Sequence, residues 1–337
     1  MNLKEFKALI APGVDPRIEE ASRETRKYFG KAIQLYTPLY LSNECQNSCV
    51  YCGFNRRSKI KRVTLDLGQI SKEAKFLSSQ GFQHILLLTG EDRSKAPVSY
   101  IEEAIRAIKK LFVSVSIEVY PLTEEEYRQL MAAGADGLTL YQETYHRPTY
   151  QQVHPDGPKR DYNWRYEAPE RAARAGMRKI GLGFLLGLYD WRFEAVKLAE
   201  HLQYLMKEFW QTQFQISFPR LNLPAGRQGP IETGFRAEHP VSDREFIQLV
   251  AAFRLLFPQI GFTLSTRERE ELRDKIFPFG FTQMSAGSKT SPGGYSVGIK
   301  SGKQFEIADQ RTPAQVSKTL VRYGYEPVWK DWERVLG

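Results

Sequence analysis

Hydrophobic and polar positions along the chain form two alternating kinds of segment. Eight short stretches rich in apolar, β-branched or aromatic residues are predicted to be strands, at 33–41, 84–89, 113–119, 137–141, 179–184, 213–218, 261–265 and 282–285. Between them apolar residues recur at helical spacing, for example at 71–80, 100–110, 124–133, 169–175, 193–209 and 243–257. The alternation of strand and helix predicts parallel strands joined by crossover helices.

Eight strand–helix units fit a closed (β/α)8 barrel, whose active site lies at the carboxyl ends of the strands. An open, doubly wound sheet is the alternative. We predict an N-terminal helical segment over 1–30, the barrel over 31–291, and a C-terminal extension packed on the barrel over 292–337. Two long connections, 142–164 and 219–240, are candidate active-site lids. Within the second, no motif gives 223–230 a chemical role.

The charge balance limits the partners that the protein is expected to have. The chain of 337 residues carries 48 Lys and Arg against 39 Asp and Glu, a net charge of +9. The densest basic run, 56–62, has no aromatic interleaving and no nucleic-acid-binding motif beside it, so we expect no nucleic-acid partner. No apolar run approaches the length of a membrane span, and no signal-peptide core is evident. We therefore expect a cytoplasmic protein with no membrane contact.

The three cysteines of the chain all lie within eight residues. Cys45, Cys49 and Cys52 form a C-x3-C-x2-C pattern directly after the first predicted strand. An odd number of cysteines in one short segment is not a disulfide framework. Three thiolates can hold three irons of a four-iron cluster and leave the fourth iron without a protein ligand. The alternatives are three structural cysteines, or a zinc site, which would need a histidine as distant as His84.

The cysteine pattern, with the aromatic Tyr51 before its third cysteine, resembles the signature of the radical S-adenosylmethionine (SAM) superfamily. The resemblance implies a (β/α) barrel with a [4Fe–4S] cluster on the three cysteines and SAM on the fourth iron. Glu91, in the sequence Thr-Gly-Glu-Asp, matches the residue that receives the SAM ammonium group. Further residues are implied to bind SAM: Glu143 and Tyr145 at the ribose, and Arg160, with Lys159 as the alternative, at the carboxylate.

Within this superfamily the chain resembles the aromatic amino-acid lyases, through the strings at 38–43, 49–54, 187–192, 265–268 and 284–290. The resemblance implies a lyase of thiamine thiazole biosynthesis that cleaves the Cα–Cβ bond of L-tyrosine to 2-iminoacetate and p-cresol. It also implies that Arg267 and Ser285 hold the substrate carboxylate and that Tyr40 lines the substrate pocket. Arg267 follows the seventh predicted strand and Ser285 ends the eighth, so both are expected at the mouth of the barrel.

Partners and rival activities also follow from the resemblance. It implies a one-electron donor such as flavodoxin or ferredoxin, and thiazole synthase as the consumer of the imine, with 56–62 as a candidate docking face. The rivals are a lyase acting on another aromatic amino acid such as tryptophan, and a non-catalytic iron–sulfur or zinc scaffold. The hydrogenase-maturation tyrosine lyases bind a second cluster through C-terminal cysteines, and this sequence has no cysteine after Cys52.

Overall fold

The computed structural model describes residues 1–221, 235 and 237–329. Its strands are β1 (Ala32–Ser42), β2 (His84–Thr89), β3 (Ser114–Glu118), β4 (Gly137–Thr139), β5 (Lys179–Gly183), β6 (Gln213–Ser217), β7 (Gly261–Leu264), β8 (Gln283–Ser285) and β9 (Glu326–Val328). Its helices are α1 (Leu3–Leu9), α2 (Ile18–Phe29), α3 (Leu67–Ser79), α4 (Val98–Ile108), α5 (Glu124–Ala133), α6 (Arg147–Val153), α7 (Tyr162–Tyr166), α8 (Ala168–Arg174), α9 (Trp191–Glu208), α10 (Asp243–Leu256), α11 (Glu270–Ile276) and α12 (Pro313–Arg322). Short 3₁₀ turns span Pro158–Arg160 and Phe277–Phe279.

The first eight strands close into a parallel barrel. Each strand pairs with the next along the chain, and β1 pairs in parallel with both β2 and β8. The predicted (β/α)8 barrel is therefore confirmed. Helix α3 begins earlier than predicted, because the Asp66 side chain caps the amide of Gln69 in a capping box.

Alternation along the strands separates the helix layer from the lumen. In β3, Val115 and Ile117 belong to the main hydrophobic core beneath the helices. Ser114, Ser116 and Glu118 face cavities inside the barrel. The predicted strand at 113–119 is thus a barrel strand with a polar inner face.

The segment after β8 contacts both ends of the barrel. Residues 288–305 reach the cavity at the carboxyl ends of the strands, where Ser288, Thr290 and Phe305 contribute to its wall. The chain then returns through α12 to β9, which pairs with β1 at Ala32–Gln34. No helix in the described part of the chain is both long and apolar enough to cross a membrane.

Candidate active site

A cavity opens at the carboxyl ends of the strands. This end of the barrel is where (β/α)8 enzymes have their active sites. The lining residues that carry the argument below are Tyr40, Tyr51, Cys52, Glu118, Glu143, Lys159, Arg267, Ser285, Gln304 and Phe305. The structure therefore brings residues predicted for the cluster, SAM and the substrate to one site.

The cysteine loop, which contains Cys45, Cys49 and Cys52, follows β1 and is packed tightly on several sides. Gly90 lies so close to the backbone of Glu44 that a side chain there would collide with it, and Gly53 lies equally close to the backbone of Lys303. Backbone hydrogen bonds join the loop to the predicted lid 142–164, from the Ser48 amide to the Asp156 carbonyl at 3.1 Å and from Val50 to Val153 at 3.1 Å. The predicted lid is thus a packed wall of the loop.

The three thiols are in an environment that favours a bound cation. Burial raises the pKa of all three, that of Cys52 to about 11, and the other two thiols raise the pKa of Cys49 further. Thiolates in such a place need positive charge, which iron would supply.

The donor set of this loop also bears on the kind of metal site. Thiolate is the usual ligand of iron–sulfur clusters, and each thiolate binds a different iron. A structural zinc site has four ligands, so it would need a histidine or a further thiolate beside these three. The thiols of Cys45, Cys49 and Cys52 therefore suit three irons of a cluster.

Glu91 lies beside the cysteine loop, as its motif predicts. Its carboxylate accepts a hydrogen bond from Asn47 Nδ2 at 2.6 Å, and its carbonyl accepts one from the Gln46 amide at 2.9 Å. Tyr51 lines the cavity with its ring, and its hydroxyl bonds to His154 Nε2 at 2.7 Å. Glu91 therefore lies next to the cysteine loop and Tyr51 lies within it, where the resemblance puts SAM.

Glu143 is held in an unusual backbone conformation at the cavity wall. It has a φ of 70°, in the left-handed region that few residues other than glycine adopt. Its carboxylate pairs with Lys159 Nζ at 2.7 Å and with Arg165 at 3.5 Å. Burial alone would raise the pKa of Glu143, but these two cations outweigh it and lower the pKa, so the carboxylate is ionised. Such strain is typical of functional positions.

Two residues predicted to bind SAM point elsewhere. The Arg160 guanidinium bonds to the Pro155 carbonyl at 3.4 Å near the surface, and Lys159 takes the inward position. The Tyr145 hydroxyl bonds to His201 Nδ1 at 3.1 Å, with its ring packed against His201 in the helix layer. These placements favour Lys159 over Arg160, and they give no support to Tyr145 at the ribose.

On the opposite wall, Arg267 follows β7 and Ser285 ends the neighbouring strand β8, and both line the cavity. The Arg267 guanidinium stacks on the Phe305 ring at 3.5 Å. The Ser285 hydroxyl accepts the Thr266 amide at 3.0 Å, and its carbonyl accepts Arg273 Nη2 at 2.6 Å. A planar guanidinium next to a hydroxyl is well suited to bind a carboxylate.

Tyr40 also lines this side, and its contacts show what sequence reasoning missed. Its hydroxyl donates to Gln304 Oε1 at 2.6 Å. Gln304 and Phe305 belong to the predicted C-terminal extension, where no motif marked them. Glu118 and Arg165 were also missed, although the Ser114–Ser116–Glu118 alternation in β3 is a signal that could have marked Glu118.

Comparison with known proteins agrees with this arrangement. Residues 39–200 match the model of the radical SAM superfamily, and residues 217–326 match the biotin and thiamin synthesis associated domain. The barrel and its cysteine loop thus define a radical SAM enzyme.

Full-length relatives make the assignment more specific. The chain is 43% identical to 2-iminoacetate synthase of Escherichia coli strain K12 and 42% identical to that of Salmonella typhimurium, in each case over 98% of this chain and 87% of the relative. It superimposes on the hydrogenase maturase HydG of Carboxydothermus hydrogenoformans with a TM-score of 0.90 and 35% identity, over 98% of this chain and 76% of that one. The chain belongs to the 2-iminoacetate synthase family, which uses a [4Fe–4S] cluster and SAM.

Substitution of Lys159 and of Arg160, one at a time, tests which of the two binds the SAM carboxylate. Lys159→Met is expected to weaken SAM binding about 10-fold or more, because a charged hydrogen bond inside the cavity is lost. Arg160→Ala is the matched control and is expected to change binding less than about 2-fold. Equilibrium dialysis with the reconstituted protein, without reductant, measures both constants. If Arg160→Ala weakened SAM binding more than Lys159→Met, Arg160 would be the residue that binds the SAM carboxylate.

Proposed function

We propose that the protein cleaves the Cα–Cβ bond of L-tyrosine to 2-iminoacetate and p-cresol, for the thiazole of thiamine. The single observation that carries this proposal is that Arg267 and Ser285, whose guanidinium and hydroxyl suit a carboxylate, line the same cavity as Cys52 of the cysteine loop. The hydrogen atom taken from the amino group leaves in 5′-deoxyadenosine, and cleavage of the Cα–Cβ bond then gives 2-iminoacetate and a 4-hydroxybenzyl radical. One electron from the donor and one proton convert this radical to p-cresol, so no water is added to the substrate. Membership of the 2-iminoacetate synthase family supports the same reaction.

The residues of the chain bind and orient the reactants. When bound, the reduced cluster and SAM supply a carbon radical that takes a hydrogen atom from the substrate amino group. Cys45, Cys49 and Cys52 would hold the cluster, while Glu91 and Glu143 lie where they can receive SAM. Arg267 and Ser285 would fix the substrate carboxylate and thereby the adjacent amino group, and such positioning is a large part of catalysis.

A product assay tests this proposal directly. The protein would be reconstituted with iron and sulfide without oxygen, then supplied with SAM, reductant and tyrosine. We expect p-cresol, 5′-deoxyadenosine and glyoxylate, the hydrolysis product of the imine, by LC-MS. Deoxyadenosine without p-cresol would reject tyrosine, and tryptophan would then be tested as the alternative substrate. If a protein with a fully loaded cluster formed neither p-cresol nor deoxyadenosine, the proposal that it is an enzyme would be rejected.

The basic run 56–62 has two different parts. The Arg62 guanidinium donates to the carbonyls of Asn43, Phe54 and Asn55, so it clamps the cysteine loop. The other basic side chains of the run, Arg56, Arg57, Lys59 and Lys61, are exposed, and Arg56 pairs with Asp156 at 2.5 Å. The exposed side chains lie a few residues from Cys52, and their charge suits an acidic partner.

We infer that this face receives an acidic one-electron donor of the flavodoxin or ferredoxin type. The combined change Arg57→Glu and Lys61→Glu is expected to slow flavodoxin-driven turnover about 10-fold at low salt, because electrostatic steering is lost. Turnover driven by dithionite should not change. A matched pair of reversals on exposed lysines elsewhere, Lys110→Glu and Lys318→Glu, is the control. If both pairs of substitutions slowed flavodoxin-driven turnover equally, the effect would be one of overall charge and would contradict a specific docking face for the donor.

The proposed function also fits a cytoplasmic setting. Free thiols at a cluster site need a reducing compartment. In that setting, thiazole synthase would consume the reactive imine as it is released.

A further inference from the structure

Glu118 places a carboxylate inside the barrel that the proposed reaction, as described so far, does not use. It is the last residue of β3, and its side chain lines the cavity shared with Arg267 and Ser285. No hydrogen bond to its carboxylate forms within the described residues. A carboxylate that lines a cavity and has no hydrogen-bond partner in the described part of the chain calls for an explanation.

The topology of the barrel places Glu118 opposite the carboxylate-binding pair. In the closed order of eight strands, β3 lies four strands from β7, and β4 lies four strands from β8. Strands four apart in an eight-stranded barrel face each other across the lumen. An amino acid held by its carboxylate at Arg267 therefore directs its side chain towards the wall that contains Glu118.

The wall between these two points suits an aromatic ring. Leu86 and Leu88 of β2 lie beside Tyr36 and Tyr40 of β1 on the cavity surface. The Tyr40 hydroxyl is bonded to Gln304, and that of Tyr36 interacts with Ser285. These hydroxyls therefore have partners, and the Glu118 carboxylate is left for a ligand.

The charge state of Glu118 is compatible with accepting a hydrogen bond. Its pKa is raised to about 7, mainly by burial and further by repulsion from Glu143, although Arg267 lowers it in part. A substantial fraction of the carboxyl groups is therefore ionised at neutral pH. An ionised carboxylate is a strong acceptor for a phenol.

We infer that Glu118 accepts a hydrogen bond from the phenol hydroxyl of the substrate and selects tyrosine over phenylalanine. This inference rests on the proposed function, because it requires an amino acid bound at Arg267. A site built to bond a hydroxyl strongly rejects the analogue that lacks it, since a buried polar group is then left without a partner. The rest of the cavity would bind either ring.

Binding of the two amino acids to reconstituted protein with SAM, without reductant, tests the inference independently of turnover. We expect the wild-type protein to bind tyrosine about 100-fold more tightly than phenylalanine. Glu118→Leu is expected to reduce this ratio to about 3-fold or less, with phenylalanine binding kept or improved. Glu118→Gln should give an intermediate ratio, because an amide is a neutral acceptor of similar shape. Glu103→Gln, an exposed site on α4, is the control for loss of charge.

Further measurements distinguish failure of the Glu118 inference from failure of the proposed function. Iron content and SAM affinity verify that each variant is folded and loaded. Wild-type p-cresol formation with an unchanged affinity ratio in Glu118→Leu would overturn the role of Glu118 and leave the lyase in place. No p-cresol from the loaded wild-type protein would overturn the proposed function, and with it this inference.

The same ratio should depend on pH. Because protonation weakens Glu118 as an acceptor, preference for tyrosine should increase as pH rises through about 7 in the wild type and stay constant in Glu118→Gln. The ionisable groups that act on Glu118, or on which it acts, are Tyr36, Tyr40, Tyr141, Glu143, Lys159, Arg165 and Arg267. A pH-dependent ratio that persists in Glu118→Gln would assign the effect to one of these groups and contradict the inference.

Discussion

Arg267→Ala is expected to retain SAM binding and to lose tyrosine cleavage by about 30-fold or more in kcat/KM. Removal of one partner from an enclosed, charged hydrogen-bonded pair costs roughly 2–5 kcal/mol, and each 1.4 kcal/mol is a factor of ten in rate. The Arg267 guanidinium is already oriented by the Phe305 ring at 3.5 Å, so it binds a carboxylate with little loss of conformational freedom. Loss of this clamp also releases the amino group, so kcat should fall as well as affinity.

Quantitative LC-MS of p-cresol measures this effect, and SAM affinity is measured in parallel. Arg269→Ala is the matched control, because Arg269 is two residues away, is exposed and pairs with Asp243 at 2.5 Å. Arg267→Lys should recover only part of the activity, since a lysine cannot bind a carboxylate through two parallel hydrogen bonds. Unchanged turnover in Arg267→Ala would remove this residue from the substrate site.

The second large effect is expected at the cysteine loop. Cys49→Ala should leave the reconstituted protein without a stable four-iron cluster, and deoxyadenosine formation should fall below detection. Each of the three thiolates would hold a different iron, so no neighbouring side chain replaces the one that is lost. Cys49 is buried and its pKa is raised by burial, so its thiolate depends on the metal for stability.

Iron and sulfide content, visible absorption and the spectrum of the reduced protein measure the loss. Ser48→Ala is the control, because it removes one polar atom from the adjacent buried position and should leave the cluster intact. A fully loaded cluster and normal deoxyadenosine yield in Cys49→Ala would make this cysteine a structural residue. Zinc in place of iron in the wild-type protein would favour the scaffold alternative.

The sequence by itself was sufficient for the fold and for the metal loop. Strand and helix differ in period, two residues against 3.6, so the repeated change of period along the chain specified eight strand–helix units. Three thiols within eight residues marked one candidate metal loop because such chemistry is local in the chain, and the resemblance to the radical SAM superfamily then implied a cluster there. Arg267 and Ser285 could be predicted because barrel topology brings all strand ends to one mouth.

Only the tertiary structure decided which way individual side chains point. Lys159 and Arg160 are adjacent cations, and the 3₁₀ turn at Pro158–Arg160 directs Lys159 to Glu143 and Arg160 to the surface. Glu143 reaches the cavity through a φ of 70° that no sequence pattern marks. Tyr40 and Gln304 are 264 residues apart in the chain, yet they share a hydrogen bond. Glu118 faces Arg267 for a similar reason, since a position across the lumen depends on closure of the whole barrel and not on neighbours in sequence.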